Sequence, residues 1–222
     1  MTAILWHGRG GQGAFTAAKV LGAAYSIDGN YGLAFPSFGP ERRGAPILAF
    51  TKLDSKSIGD RSQIKKADYV IFLDDTLFAD SAFNEIKNGR KILLNTKKSL
   101  EELGINDESK KNSIVLFDGT SLAQEILKLT VTNTVMLSLL AKISGLVSEE
   151  NLISALKEYM PPKVAAKNEE LIRKIFEDEA DELADGVISS QTSAKNGSVQ
   201  KLFNYPAANG AQPVNKTSGG AR

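Results

Sequence analysis

The fold is decided close to the N-terminus, where the chain reads Trp6-His7-Gly8-Arg9-Gly10-Gly11-Gln12-Gly13. An apolar, strand-like segment precedes this run, and an alanine-rich segment with helical periodicity, residues 14–25, follows it. Glycines at such a junction allow a tight turn and let a ligand approach the backbone, because no Cβ stands in the way. The free N–H groups at the start of the helix, with the positive end of its dipole, favour an anion. The run therefore predicts a phosphate-binding loop.

The candidate ligand-binding residues of this loop are Gly8, Arg9, Gly10, Gly11, Gln12 and Gly13. Arg9 adds a fixed positive charge and a planar group suited to phosphate oxygens. The glycine spacing also matches the dinucleotide-binding fingerprint, which needs an acidic residue at the tip of the second strand. The predicted second strand, residues 31–35, is followed by Pro36-Ser37-Phe38 and supplies none. A phosphate of another ligand is thus favoured over NAD and over a purely structural turn.

Composition excludes several classes of function. The 222 residues carry 27 basic and 26 acidic side chains, a net charge of +1, which gives no reason to expect a nucleic acid. Cysteine is absent, so the chain offers no disulfide and no cysteine-ligated iron–sulfur cluster. The single histidine, His7, argues against a zinc site, and no metal ligands are assigned. No segment reads as a membrane span or signal peptide, so we expect the cytoplasm.

Strand-like and helical segments alternate along the chain. The apolar runs at 69–73, 91–95 and 113–117 are typical of strands buried on both faces by helices. This alternation predicts a three-layer α/β/α sandwich with a mostly parallel, mixed sheet. The composition changes near residue 185, where apolar residues become sparse. We therefore predict an α/β domain over residues 1–185 and an extended C-terminal tail over 186–222, either disordered or laid on a partner.

Helix boundaries are also predicted from the sequence. Two capping boxes are expected, Ser99 with Glu102 and Ser121 with Gln124. Further predicted boundaries are an N-cap at Asn133 for a helix ended by Gly145, an N-cap at Ser148 for a helix ended by Pro161-Pro162, and a last helix from about Asn168 to Leu183.

A second motif, Phe38-Gly39-Pro40-Glu41-Arg42-Arg43-Gly44-Ala45-Pro46, lies between two predicted strands. Arg42 and Arg43 are candidate residues for clamping the phosphates or carboxylates of a ligand or partner. A solvated loop, in which Glu41 pairs with one arginine at little energetic gain, is an equal interpretation.

Together the motifs at 8–13 and 38–46, followed by Asn133-Thr134-Val135-Met136-Leu137, resemble the gamma subunit of 2-oxoacid:ferredoxin oxidoreductases, of which pyruvate:ferredoxin oxidoreductase is the best-known member. Their order and spacing match over about residues 1–183. His7, immediately before the glycine loop, also fits the family pattern.

The resemblance implies a division of labour among subunits. Alpha and beta subunits would bind the 2-oxoacid, thiamine diphosphate and Mg, and a delta-type subunit would carry [4Fe-4S] clusters. The gamma chain would associate with coenzyme A and hold no complete catalytic site. The complex would decarboxylate a 2-oxoacid oxidatively to an acyl-CoA and pass electrons to ferredoxin or another acceptor. A free-standing NAD- or FAD-binding enzyme and a purely structural subunit remain the alternatives.

Two further features of the sequence each allow more than one interpretation. His7 is either a base for the coenzyme A thiol or, as we favour, a structural residue that caps the strand end or hydrogen-bonds a backbone carbonyl. The pair Asp74-Asp75 follows a strand end, where α/β sheets often bind ligands, but we interpret it as a helix start or solvated loop.

Overall fold

A computed structural model describes residues 1–37, 43–177 and the backbone of 187–188. Its described strands form one seven-stranded sheet in the order β2-β3-β1-β4-β5-β6-β7. The strands are β1 (Thr2–Arg9), β2 (Tyr31–Pro36), β3 (Pro46–Asp54), β4 (Ala67–Phe72), β5 (Ile86–Asn95), β6 (Ile114–Phe117) and β7 (Val187–Ile188). Within this sheet β3 alone runs opposite to the common direction of the other described strands. The predicted mixed, mostly parallel α/β fold is confirmed.

The described residues also form six α-helices and two short 3-10 helices. The α-helices are α1 (Ala14–Ser26), α2 (Glu108–Lys111), α3 (Gly119–Leu127), α4 (Asn133–Ser144), α5 (Glu149–Tyr159) and α6 (Pro162–Glu177). The 3-10 helices, Asp75–Leu77 and Asp80–Asn84, follow β4 directly. In the strand order, β2 and β3 lie on one side of β1, and β4 to β7 lie on the other side. The chain therefore crosses from one side of β1 to the other between β3 and β4. The boundary between β1 and β4 is therefore the point at which the strand order reverses.

One face of the sheet packs against α1, α4, α5 and α6, and Trp6 lies fully buried in this layer. The Trp6 indole donates to the Thr51 hydroxyl at 3.0 Å, and that hydroxyl donates to the Ala18 carbonyl oxygen at 3.2 Å. A buried indole N–H needs such an acceptor, because an unpaired polar group in the core costs about 1–3 kcal/mol. The chain of bonds fixes α1 against β1 and β3.

The opposite face is covered largely by turns. Leu5, Phe50 and Phe72 contribute to its core, against which the 3-10 segments and the loop around Leu100 and Leu103 pack. The predicted capping box of Ser99 and Glu102 forms both of its hydrogen bonds, at 2.7 and 3.2 Å. It closes a turn over residues 100–104, however, and the helix expected to start there is absent from the described chain.

Three predicted helix starts were misplaced. Asp118 caps α3 by accepting from the Ser121 N–H at 2.9 Å, so Ser121 is inside the helix and is not its cap. Asn133 is the first residue of α4, and the N-cap position is held by Thr132. The last helix begins at Pro162, six residues before Asn168, because proline is well tolerated in the first turn, where an N–H has no helical partner.

Two other boundaries were predicted correctly. Gly145 ends α4 in the left-handed conformation, at φ +62°. Ser148 caps α5 by accepting from the Asn151 N–H.

The described residues of the predicted tail are Val187 and Ile188, which pair with β6 as β7. The remainder of the tail, with the residues from 178 to 186, lies outside the described part of the chain. Within the described ranges no helix combines the length and apolar character needed to cross a membrane.

Candidate functional site

The glycine loop turns the chain from β1 into α1. The Gly10 N–H donates to the Ala45 carbonyl oxygen at 2.9 Å, and the Gly44 N–H donates to the Gly10 carbonyl oxygen at 3.0 Å. These bonds extend the pairing of β1 with β3 beyond the last residue of β1. The glycine loop and the segment around Arg43 therefore lie side by side, at the carboxyl ends of the parallel strands.

Three glycines of the loop meet different surroundings. A Cβ on Gly8 would lie 3.1 Å from the Ala14 Cβ, and one on Gly13 would lie 2.5 Å from the Asn133 side-chain nitrogen. Gly11 has φ +98°, and a Cβ there would meet nothing within 4 Å. Gly8 and Gly13 thus permit close packing inside the protein, whereas Gly11 leaves room for a ligand.

Helix α1 begins next to this open space. Gly13 holds its N-cap position with φ +80°, and no side chain caps the helix. The first-turn N–H groups therefore have no side-chain acceptor, which suits an anion. Gln12 does not supply one, since its side-chain oxygen accepts from the Arg9 N–H at 2.7 Å and its amide donates to Asp74 at 3.0 Å.

Arg9 is the charged residue within the loop, and each of its three guanidinium nitrogens donates to a protein oxygen. Nε donates to Asp74 Oδ2 at 3.1 Å, one terminal nitrogen to the Gly44 carbonyl oxygen at 3.1 Å, and the other to the Thr76 hydroxyl at 2.7 Å. The guanidinium therefore joins the glycine loop, the turn after β4 and the segment before β3.

Asp74 is the acceptor at the centre of this arrangement. Partial burial acts to raise the pKa of its carboxyl, but hydrogen bonds from Thr76 and Gln12 and the charge of Arg9 together hold that pKa below its ordinary value. Asp74 also caps the first 3-10 helix by accepting from the Thr76 N–H. The sequence interpretation of Asp74-Asp75 as a helix start is confirmed for Asp74, but the residue has this second role as well.

The two candidate arginines of the second motif differ in what the structure describes. Arg43 is exposed, and its side chain has no hydrogen bond or ion pair with any of the described residues. Arg42, together with residues 38–41, lies outside the described ranges. Arg43 is thus a cation available to a ligand or partner beside the glycine loop.

A cleft of about 350 Å³ opens beyond the loop, at the carboxyl ends of β4, β5 and β6. Its lining residues are Gln12, Leu73, Asp74, Asp75, Asn95, Thr96, Lys97, Lys98, Asp118, Thr120, Thr130 and Thr132. Open α/β sheets bind ligands at this carboxyl edge, and Gln12 and Asp74 bring one end of the cleft to the reversal of strand order between β1 and β4. The volume lies within the range of small-molecule sites.

Polar residues shape this cleft. Asn95 at the end of β5 donates to the Leu73 carbonyl oxygen at 2.9 Å and to the Thr120 hydroxyl at 3.1 Å. Asp75 accepts from Thr96 at 2.8 Å and pairs with Lys98 at 3.1 Å. None of these residues was predicted as part of a site, although Asn95 ends a predicted strand and Thr96 directly follows it. That position was the available signal.

His7 lies outside the cleft lining. Its Nε2 forms a hydrogen bond with Glu85 Oε2 at 2.8 Å, and its ring stacks on Phe72 with the centroids 4.2 Å apart. Phe72 belongs to the core of the turn-covered face. The described partner of His7 is thus a carboxylate and not the backbone carbonyl that the structural interpretation named, and the role of His7 stays a prediction.

A larger concavity of about 680 Å³ lies over α6. It is lined almost entirely by charged side chains, among which Arg173 pairs with Glu169 at 2.8 Å. Side chains that neutralise each other over an exposed helix face are poorly suited to a small ligand. The sheet-edge cleft is the better candidate site.

The geometry defines a class: an α/β domain with a mostly parallel sheet whose strand order reverses, and with a glycine loop and an adjoining cleft at the carboxyl edge of that sheet. The chain belongs to the pyruvate ferredoxin/flavodoxin oxidoreductase family, whose model matches residues 3–177. The pyruvate/ketoisovalerate oxidoreductases common subunit gamma of Thermococcus litoralis is 41% identical over 178 residues, 80% of this chain and 96% of the relative. The pyruvate synthase subunit PorC of Methanothermobacter marburgensis is 42% identical over 178 residues, 80% and 97% of the two chains. The resemblance to a gamma subunit is confirmed.

Solved structures agree in fold. The pyruvate oxidoreductase subunit PORC of Thermotoga maritima superposes with a TM-score of 0.66 at 29% identity, covering 79% of this chain and 95% of that one. The 2-oxoglutarate:ferredoxin oxidoreductase of Magnetococcus marinus, solved with 2-oxoglutarate, coenzyme A and succinyl-CoA bound, gives a TM-score of 0.65 at 18% identity. The match covers 84% of this chain and 31% of that longer one, and at this identity it shows a shared fold alone.

Proposed function

We propose that this chain serves a thiamine diphosphate-dependent 2-oxoacid:acceptor oxidoreductase that converts a 2-oxoacid to an acyl-CoA, and that it contributes to coenzyme A binding and to assembly. Alpha and beta subunits would hold the 2-oxoacid, thiamine diphosphate and Mg, and a delta-type subunit the [4Fe-4S] clusters. Ferredoxin or another acceptor would take the electrons, and the complex would work in the cytoplasm. The observation that carries the coenzyme A role is the open space at Gly11 beside the exposed Arg43.

The surroundings of Gly11 fit a phosphate group. The backbone has room for a close approach, the uncapped start of α1 is adjacent, and Arg43 adds a positive charge without a described partner. Coenzyme A, when bound, supplies the thiol that accepts the acyl group. The residues of this chain would hold its phosphates and leave the chemistry to the partner subunits.

The cleft itself is less suited to phosphate than the loop. Its two lysines are committed to carboxylates, Lys98 to Asp75 at 3.1 Å and Lys97 to Asp118 at 3.7 Å. Hydroxyl and amide groups from Asn95, Thr120 and Thr132 dominate the rest. Such groups suit the uncharged, hydrogen-bonding parts of a ligand whose phosphates lie at Gly11 and Arg43.

A second candidate function is scaffolding. It is favoured by Gly8 and Gly13, whose missing Cβ atoms make room for protein groups, and by Arg9, whose guanidinium bonds inside the chain. A dinucleotide site is disfavoured by the order of the sheet. The fingerprint needs the second strand beside the first, whereas here β3 separates β1 from β2.

The test is Arg43→Ala in the assembled complex, with Arg61→Ala as a matched control. Arg61 is also exposed, in the loop between β3 and β4 at the amino edge of the sheet. Losing one charge-assisted contact should raise the KM for coenzyme A roughly 10- to 100-fold, while 2-oxoacid decarboxylation in the absence of coenzyme A continues. An unchanged KM in a fully assembled complex would refute the binding role. Failure to assemble, seen by gel filtration, would favour the scaffold instead.

A further inference from the structure

We propose that Arg9 is a positioning residue, which sets the place of Arg43 beside the glycine loop and does not itself bind phosphate. The inference rests on the proposed function in one respect: Arg43 is taken to contact the phosphates of coenzyme A. It reassigns Arg9, which its sequence context would make a ligand, to a different task.

The Arg9 guanidinium already forms hydrogen bonds inside the protein. Its three nitrogens bond to Asp74, Thr76 and Gly44 at distances of 2.7 to 3.1 Å, and these acceptors come from two segments far apart in sequence. A guanidinium holds several acceptors in one fixed plane, whereas an ammonium group does not. This geometry is suited to joining segments of backbone.

The second step is electrostatic. Asp74 Oδ2 lies 3.1 Å from Arg9 Nε, so it already balances the charge of the guanidinium. A phosphate bound to Arg9 would also face the Asp74 carboxylate, which hydrogen bonds from Thr76 and Gln12 help to keep ionised. The phosphate and the Asp74 carboxylate, both negative and both in contact with one guanidinium, would repel each other. Arg43, in contrast, has no carboxylate beside it in the described chain.

The third step connects Arg9 with Arg43. The Gly44 carbonyl oxygen accepts from Arg9, and the Gly44 N–H donates to the Gly10 carbonyl oxygen at 3.0 Å. The peptide group on each side of Gly44 is therefore fixed, and its φ of +82° is a conformation that glycine adopts readily. Arg43 directly precedes Gly44, so these bonds fix the point from which the Arg43 side chain extends.

The experiment is a double-mutant cycle in the assembled complex, using Arg9→Lys and Arg43→Ala. Arg90→Lys is the matched control, because Arg90 Nε pairs with Asp68 Oδ1 at 3.2 Å near the amino end of β4, far from the glycine loop in the sheet. Arg9→Lys should raise the KM for coenzyme A about tenfold without lowering kcat, and the double variant should match Arg43→Ala alone. Additive effects on KM would overturn the proposal, since they would show that Arg9 acts on the ligand independently.

Hydrogen exchange supplies a readout that does not depend on activity. In Arg9→Lys the amide of Gly44 should exchange about ten times faster, whereas Arg90→Lys should leave its rate unchanged. Unchanged Gly44 exchange in Arg9→Lys would equally overturn the positioning role. If Arg43→Ala leaves the KM for coenzyme A unaltered, the proposed binding function fails, but Gly44 exchange still decides whether Arg9 holds this segment.

Discussion

The side chain of Asn133 occupies the space that a Cβ of Gly13 would need. Its nitrogen lies 2.5 Å from that position and donates to the Gly13 carbonyl oxygen at 3.4 Å. The two residues are 120 positions apart in sequence. The start of α4 therefore packs directly on the glycine loop. Two of the sequence motifs that carry the family resemblance meet at this contact.

This contact predicts unequal costs for alanine at two glycines of the loop. Gly13→Ala should lower the free energy of unfolding by about 2–4 kcal/mol, because it combines a positive φ with a clash against Asn133. Gly11→Ala should cost only about 1–2 kcal/mol, since its φ is also positive but its surroundings are open. Urea denaturation of both variants gives the comparison.

Asn133→Ala provides the control for the clash. It should recover part of the loss in Gly13→Ala, because the obstructing amide is removed, and it should recover nothing in Gly11→Ala. Equal costs at the two glycines, or no recovery at Gly13, would mean that backbone strain alone accounts for the requirement.

The fold was predictable from the sequence because its signals are local. Continuous apolar runs mark β4, β5 and β6 as strands buried on both faces, and Gly145 and Ser148 mark helix ends by their own chemistry. The glycine loop was placed correctly between β1 and α1 for the same reason. Each of these features depends on residues within one or two turns of chain.

The partners of the site residues were not predictable, because they are distant in sequence. The Arg9 guanidinium contacts residues 35 to 67 positions away, and nothing in its own neighbourhood shows that Asp74 will balance its charge. The predicted N-cap of α3 was also wrong, although here the competing residues are close together in sequence. Asp118 and Ser121 are both good caps, and only the end point of β6 decides between them.

Helix α1 and strand β2 approach closely at a pair of glycines. A Cβ on Gly32 would overlap the carbonyl oxygen of Gly22, whereas a Cβ on Gly22 would lie 3.6 Å from its nearest neighbour, in ordinary contact. Gly32→Ala should therefore destabilise the protein by more than about 3 kcal/mol, since the obstruction is backbone and cannot rotate away. Gly22→Ala should be neutral or stabilise by up to about 1 kcal/mol, because alanine favours the helix. Thermal unfolding of the two variants tests this asymmetry.

Because Gly22 and Gly32 face each other, each substitution serves as the control for the other. Both substitutions add one methyl group at the same interface between α1 and β2. A substantial loss of stability in Gly22→Ala, or tolerance of Gly32→Ala, would contradict the described packing.

Lys52 is a buried cation with an exposed partner. Its side chain is 3% exposed, and its ammonium donates to Asp60 Oδ2 at 2.7 Å and to the Asp60 carbonyl oxygen at 3.0 Å. The Lys52 hydrogen bond, followed by those from the Ser62 N–H and hydroxyl, holds the pKa of the Asp60 carboxyl well below its ordinary value. The loop after β3 is thereby fastened over the turn-covered face of the sheet.

This ion pair predicts a dependence of stability on pH. A carboxyl whose pKa is lower in the folded state stabilises that state above its unfolded pKa of about 4, and the stabilisation is lost as the pH falls below that value. Wild type should therefore lose more of its free energy of unfolding between pH 5 and pH 3 than Asp60→Asn does.

Asp28→Asn, at an exposed position without an ion pair to the described residues, should follow the wild-type curve. Lys52→Met should flatten the same part of the curve, because the buried cation is then absent. Parallel curves for wild type, Asp60→Asn and Lys52→Met, measured by urea denaturation across this pH range, would show that the pair contributes nothing to acid sensitivity.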